Sequence, residues 1–393
     1  MCAKTNQLRS EPEDEPLRSA DTPRRGRGLQ SELLTLTDLT PRDISAWDEL
    51  ASAAISPNPF MEPDYVLPSA HAWGVDDVGV LVVRHGRDWV GAVPVRQARS
   101  WKGVPGRCLT IWRHAYCYLG TPLVAGDDPA AVLAALLSRA LTASGCMALE
   151  MVDADGPLNP ALAEALETQA RPILLSRLER AVLERVNGNF DLQLSASHRK
   201  SYGRRRRQLE GAVGPLTTRD DSHNPDASSR FLEIESTGWK GDHGTAMACI
   251  PGHGEWFSEV CHRFAAKERL LMLSLANDQH TVAMRCNLIV GDVLFGLEGC
   301  FDEAFGRYSP GIQLELAAVE HLNSTGYRFE DSCTAPDNST LNRLWPGRRQ
   351  LQTVMAIDRG ASAAATYAKW TAAAHALPLV RKLKRPEKGL RGH

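Results

Sequence analysis

Residues 292–332, DVLFGLEGCFDEAFGRYSPGIQLELAAVEHLNSTGYRFEDS, hold the side chains best suited to acid–base and anion chemistry. The run Val293–Phe301 reads as a strand that sets Leu294, Gly296, Glu298 and Cys300 on one face. Glu298 is then an acid on an otherwise apolar strand, a candidate base with a raised pKa once buried. An edge-strand carboxylate in water, or an ion-pair partner, fits the same position. Asp302 and Glu303 fall at the strand end, where a solvated turn explains them, and Asp331 is either a fourth candidate or a structural cap. Arg307-Tyr308-Ser309-Pro310-Gly311 leads into a helix over Gly311–Thr325. Ser309 suits an N-cap, Pro310 suits the first turn, and Gly311 lets a ligand approach the backbone. A helix start of this kind offers free N–H groups and positive dipole to a phosphate.

Two further stretches carry polar chemistry. In Glu235–Ala246 (ESTGWKGDHGTA), Lys240 could bind a phosphate or an acidic acceptor and Trp239 could stack on a sugar ring; a loop anchored by a buried Trp explains both as well. The run His198–Leu209 (HRKSYGRRRRQL) reads as a solvated basic helix, a holder of donor phosphates, or a site for a polyanion such as tRNA. Helical spacing spreads Arg204 to Arg207 around the axis, and only Tyr202 interleaves an aromatic ring, which argues against a dedicated nucleic-acid site. His243, Cys249, His253, Cys261 and His262 match no zinc spacing, so no metal is expected. Cys300 reads as a buried thiol, and no G-x-S-x-G elbow, Walker loop or dinucleotide fingerprint is present.

The elements that must position these residues fall into two similar series. Leu33–Leu39 reads as a strand, Pro41–Ala53 as a helix capped by Thr40, and Asp77–Arg84 with Trp89–Gln97 as a hairpin. A helix over Asp128–Ser144, a strand over Cys146–Val152 and a helix over Pro160–Gln169 follow. After a join at residues 171–195, Ser197 caps a helix running to Gly211, and Ser228–Ser236 and Gly254–Lys267 are helical. The strands Leu270–Ala276, Thr281–Val290 and Val293–Phe301 then precede the helix from Gly311, a strand at Tyr327–Glu330, another at Gln350–Asp358 and a last helix at Ser362–Ala376. The fold class is α/β with a mixed sheet, and the order repeats weakly over about 150 residues.

The 393 residues are 43% hydrophobic and 23% charged, which excludes collagen-like, coiled-coil and largely disordered chains, and the apolar runs are too short to span a bilayer. The net charge of −2 hides two blocks of +5, at residues 199–210 and 381–393. Nine cysteines without a C-x-x-C pair suggest reduced, mostly buried thiols in a cytoplasmic protein. Residues 1–31 read as a disordered leader with no secretory signal, and residues 377–393 as a basic tail open to weak peripheral membrane contact.

Asn58-Pro59-Phe60-Met61-Glu62-Pro63, Gly238-Trp239-Lys240-Gly241, Gly244-Thr245-Ala246 and Tyr308-Ser309-Pro310-Gly311, in that order, resemble the CelD-like acetyltransferases associated with cellulose and exopolysaccharide synthesis, within the GNAT superfamily. The resemblance covers roughly residues 33–375. It implies two tandem GNAT-like domains, at 32–180 and 181–376, packed as in the Fem-type aminoacyltransferases, with an acyl-CoA donor on Arg307, Tyr308, Ser309, Pro310 and Gly311, and it favours a catalytic role for Asp302 and Glu303. The superfamily loop R/Q-x-x-G-x-G/A is incomplete, because Arg307 precedes a loop whose only following glycine is Gly311. Acetyl-CoA or another acyl-CoA is therefore expected as co-substrate, transferred directly to an amine or hydroxyl of a sugar, polysaccharide precursor or envelope metabolite. A charged-tRNA-dependent transferase and a catalytically silent subunit of a polysaccharide machine are the alternatives.

Overall fold

The computed structural model describes residues 24–26 and 28–384, without the side chains of residues 24–26, 239, 362 and 377–384. Most of the expected leader and tail therefore lies outside the described residues. The chain opens with β1 (Arg24–Gly26), β2 (Leu29–Thr35), α1 (Pro41–Ala53) and α2 (Pro63–Ala72). Three antiparallel strands follow, β3 (Val78–His85), β4 (Asp88–Trp101) and β5 (Val104–Ile111), with β6 (Leu123–Val124) against β4. Then come α3 (Pro129–Ser144), β7 (Cys146–Asp153), α4 (Asn159–Gln169) and β8 (Arg171–Val186). Beyond β9 (Asn189–Phe190) lie α5 (Ala196–Val213), β10 (Thr217–Asp220), α6 (Ala227–Thr237), α7 (Trp239–Asp242) and α8 (His253–Ala266). The second meander is β11 (Leu270–Ala276), β12 (Thr281–Val290) and β13 (Val293–Phe301), followed by α9 (Pro310–Asn323), β14 (Phe329–Asp331), α10 (Ser339–Leu344), β15 (Gly347–Ile357) and α11 (Ala364–Lys384).

Local chemistry sets most of these boundaries. Thr40 and Asp43 form a reciprocal capping box at α1, with Pro41 in the first turn. The cap of α5 is Ser195, whose hydroxyl accepts from the His198 N–H, two residues earlier than the expected Ser197. A third strand, β5, joins the expected hairpin and contains Pro105 and Gly106, the latter at φ +122. The expected join at residues 171–195 is largely the sixteen-residue strand β8, and the expected boundary at 180/181 falls inside it.

The strands form one mixed α/β sheet in the order β1-β2-β3-β4-β5-β7-β15-β8-β14-β13-β12-β11-β10. Each half lends its last strand to the other: β15 pairs with β7, and β8 pairs with β14. Between them, β8 and β15 pair from Gly347↔Val182 to Ile357↔Arg171. A buried row of charges crosses these strands. Arg349 on β15 reaches Asp153 on β7 and Asp331 on β14, and Arg180 on β8 reaches the same Asp331 oxygen at 2.6 Å. Removing one member would leave its neighbour charged and dry, which costs several kcal/mol, about 3–5 in comparable cases.

Both faces of the sheet are covered. One core holds Trp47, Tyr65, Leu137, Phe257 and Phe295 from α1, α2, α3, α8 and β13. On the opposite face, Leu209, Leu314, Leu322 and Leu344 from α5, α9 and α10 pack over the second meander, and Trp370 of α11 packs with Trp101. Seven of the eight described cysteines are free and buried, Cys249 being exposed. No described helix is long and apolar enough to cross a membrane.

Candidate active site

Strands β13 and β14 run parallel for three residue pairs, ending at Phe295↔Asp331, and then part. Two features force the separation. Leu297 is the extra residue of a β-bulge, since Cys286 faces Glu298 while Asn287 faces Gly296. On the other side, Ser332 turns its N–H to Ala181 of β8, and Cys333 adopts φ +52. At the fork Gly296 is required, because a Cβ there would lie 2.8 Å from the Ser332 carbonyl oxygen. Beyond Phe295 the β13 edge faces a cleft of about 650 Å³ instead of a strand. Its walls include Gly296–Phe301, Ser309–Ile312 at the start of α9, Ser332–Ala335, Trp345 and Tyr118.

The bulge corrects the expected strand face. Leu294 packs in the core beside α9, whereas Cys300 packs in the core on the other side of the sheet. Glu298 therefore leaves the face of Leu294 and turns towards α6, α7 and the first half. Its carboxylate accepts from the Tyr118 hydroxyl at 2.9 Å and from Lys240 Nζ at 3.4 Å. Lys240 in turn donates to Glu235 at 2.7 Å, and Glu235 also accepts the Met247 N–H. Burial pushes the Glu298 carboxyl above its ordinary range, offset in part by the Lys240 charge and the Tyr118 hydrogen bond. Burial works against the Lys240 ammonium, but the two carboxylates hold it above its usual range. Tyr116, close by, is pushed up to about 12 by burial first and then by the Glu298 and Glu235 charges. The Glu298 side chain keeps 17% exposure, so a ligand in the cleft can reach it.

The Asn58–Pro63 motif builds the loop that carries Tyr118. The Asn58 amide donates to the carbonyls of Leu119 and Thr121, while its own oxygen accepts from the Phe60 N–H. Phe60 packs edge-on against Tyr118 at 5.6 Å and Phe295 at 6.1 Å, so it touches both halves. Glu62 pairs with Arg269 of the second half, and burial pushes its carboxyl up to about 7. Arg180 adds a hydrogen bond to the Tyr118 carbonyl at 2.6 Å.

At the other end of the cleft, α9 begins without a side-chain cap. Ser309 sits at φ +57, ψ +56, left-handed instead of the extended conformation a capping serine takes, which corrects its expected role. Its hydroxyl instead accepts from Arg205 of α5. Pro310 has no N–H, the first helical hydrogen bond to the Ser309 carbonyl is made by Gln313, and the N–H groups of Gly311 and Ile312 meet no acceptor among the described residues.

The remaining predicted residues take other places. Asp331 is fully buried, accepting from Arg180, Arg349 and the Cys333 N–H. Burial opposes its ionisation, yet the two arginines outweigh this and hold its carboxyl below the ordinary range; it is a structural charge, poorly suited to be a base. Asp302 caps the short turn Glu303–Tyr308 through the Ala304 N–H, and exposed Glu303 lies against Gly238. Arg307 stacks on the Tyr308 ring at 4.6 Å; neither residue lines the cleft, while Ser309, Pro310 and Gly311 do. The Trp239 side chain lies outside the described residues. Lys240 is held between two carboxylates, which corrects its expected use as a free anion binder. Tyr118 and Glu235 join the site without having been singled out, whereas Arg205 belongs to the basic run for which a hold on donor phosphates was one of the alternatives.

Residues 196–338 match the family model described as Acetyltransferase (GNAT) domain. A crystal structure of FemX resembles the chain with a TM-score of 0.52 at 9% identity, over 83% of this chain and 97% of that one. The C-terminal domain of a protein described as a lysylphosphatidylglycerol synthetase from Agrobacterium fabrum gives 0.50 at 15% identity, over 84% and 95%. A tandem GNAT protein from the clavulanic acid biosynthesis pathway aligns over 83% and 98% at 14% identity, with a TM-score of 0.40. No curated protein matches the chain. Residues 196–338 of the second half thus match a GNAT acetyltransferase domain, and the solved structures share the fold over most of the chain.

Proposed function

We propose that the chain transfers an acyl group, acetyl in the simplest case, from coenzyme A to an amine or hydroxyl of a sugar, polysaccharide precursor or envelope metabolite in the cytoplasm. The resemblance to CelD-like proteins supports this acceptor class. The observation that carries the reading is the cleft where β13 and β14 part, with an uncapped helix start on one wall and a buried carboxylate on another. The residues fit the donor. The Gly311 and Ile312 N–H groups suit a phosphate, and the unpaired β13 edge suits an extended amide-bearing arm. When bound, the thioester supplies an activated acyl group with a thiolate as leaving group.

This chain's own residues would then handle orientation and protons. Glu298, with its pKa raised by burial, takes the proton from the attacking amine or hydroxyl. Tyr118 and Lys240 hold that carboxylate in place, and the β13 edge offers N–H groups to the thioester carbonyl. No side chain forms a covalent bond to the acyl group. Isothermal calorimetry with acetyl-CoA, followed by thiol-release assays across amine and alcohol acceptors, tests the reading. Saturable donor binding and acceptor-dependent thiol release are expected. No heat with any of several acyl-CoAs would end it, and binding without turnover over a wide acceptor panel would favour a silent subunit.

A further inference from the structure

The incomplete glycine loop leaves a question of what holds the donor's phosphates, and α5 supplies the groups. This helix stands before β10 and packs against both the Glu303–Tyr308 turn and α9. Tyr202 and Leu209 are its buried side, fixed by the Gln313 side-chain hydrogen bond to the Tyr202 carbonyl at 3.0 Å. Arg206 on the packed side is spent on Glu210 and the Leu216 carbonyl. Arg205 is different: its one recorded partner is the Ser309 hydroxyl in the cleft wall, which leaves further guanidinium donors beside that wall.

Next to it runs a second feature. Lys200, Arg204 and Arg207, at i, i+4 and i+7, form one exposed stripe, although Arg204 to Arg207 as a block encircle the axis. None of the three makes an ion pair among the described residues. Of these four cations on α5, Arg205 reaches the cleft wall, and the other three lie on the exposed side of the helix, away from Tyr202 and Leu209.

Resting on the acyl-CoA reading, we propose that α5 is the phosphate clamp of the donor site, with Arg205 its inner contact and Lys200, Arg204 and Arg207 its outer, steering charges. The clamp takes over part of the work of the missing glycines. A glycine loop binds phosphate through backbone N–H groups; here the Ser309 hydroxyl accepts from Arg205 and so holds a guanidinium beside the helix start. The clamp discriminates by charge, so it acts on donors that carry phosphates and is indifferent to those that do not.

The test compares acetyl-CoA with S-acetylpantetheine, which keeps the thioester arm but has no phosphate. In calorimetry and ligand-observed NMR, Arg205→Gln should weaken acetyl-CoA about tenfold or more and leave acetylpantetheine unchanged. Arg205→Lys should recover part of the loss. Lys200→Gln/Arg204→Gln/Arg207→Gln should flatten the salt dependence of acetyl-CoA binding, with a smaller loss at high salt. Unchanged acetyl-CoA affinity in Arg205→Gln, or equal loss of both donors, would overturn the clamp while the acyl-CoA reading stands. No acetyl-CoA binding by the wild type, or salt-sensitive binding of charged tRNA in its place, would overturn both.

Discussion

The two long helices α3 and α9 stand at the same point of the two halves. Each follows a three-stranded meander, begins with proline, and leads to a strand parallel to the third strand of its meander, β7 beside β5 and β14 beside β13. Their first turns differ in kind. At α3 the Asp128 carboxylate accepts from the Ala131 N–H at 3.0 Å, and Asp127 precedes it. The dipole there is already met by a fixed negative charge, so an incoming phosphate would face repulsion. At α9 the capping position is a left-handed serine turned to Arg205, and the first N–H groups face a cleft. One frame, used twice, gives a closed structural helix and an open one. The difference lies in one capping side chain and in the arginine that reaches the open helix start.

The largest expected effect comes from closing the open helix. Gly311 is the second residue of α9, and a Cβ there meets only Phe301 Cδ1, at 3.7 Å, so a side chain fits without disturbing the fold. Gly311→Glu places a carboxylate where phosphate should sit, and acetyl-CoA affinity should fall at least about 100-fold. Ala130→Glu makes the same change at the second residue of α3 and should leave donor affinity unaltered. Equal losses in the two variants, by calorimetry, would erase the distinction between the helices.

A smaller effect measures how much the first half contributes to chemistry in the second. Glu298 must be deprotonated to accept a proton, so kcat/KM rises with pH through its raised pKa. Lys240 and Tyr118 both lower that pKa; without either, the carboxyl becomes harder to ionise and the acid limb moves to higher pH. Lys240→Met should move it further than Tyr118→Phe, because the nearby charge outweighs the hydrogen bond. Glu298→Gln should lower kcat/KM by about 10²–10⁴ above that pKa and by less on the acid limb, where the wild-type carboxyl is itself protonated. A pH profile unmoved by Tyr118→Phe would confine the first half to a supporting role.

Much of this organisation was legible in the sequence because it is local. The capping box at Thr40, the alanine-rich helix ending at Gly145 and the second meander follow from residue type and spacing. Glu298 stood out as an acid on an apolar strand. Long-range events were hidden. The bulge at Leu297 reverses the face of Glu298, and no periodicity announces a single inserted residue. The exchange of β8 and β15 depends on pairing across more than 150 residues, and β8 mixes buried and exposed positions because it crosses from one half to the other. Tyr118 reaches Glu298 across 180 residues, held by the Asn58 amide, so the motif that carried the family resemblance proves to act on the site through a loop.

The smallest effect concerns the closed helix itself. Asp128→Ala removes a cap and should destabilise the protein by about 1 kcal/mol, seen as a lower denaturant midpoint with an unchanged slope. It also frees the Ala131 N–H, so α3 comes to resemble α9 in its bare first turn. If an uncapped helix start were sufficient for donor binding, this variant would gain a second acetyl-CoA site. It should not, because among the described residues α3 has no basic helix beside its first turn comparable to α5, and Asp127 still precedes it. Calorimetric stoichiometry should therefore remain at one donor per chain. A stoichiometry of two would mean that the cap alone separates the halves, and that the parting of β13 from β14 and the charges of α5 matter less than their placement suggests.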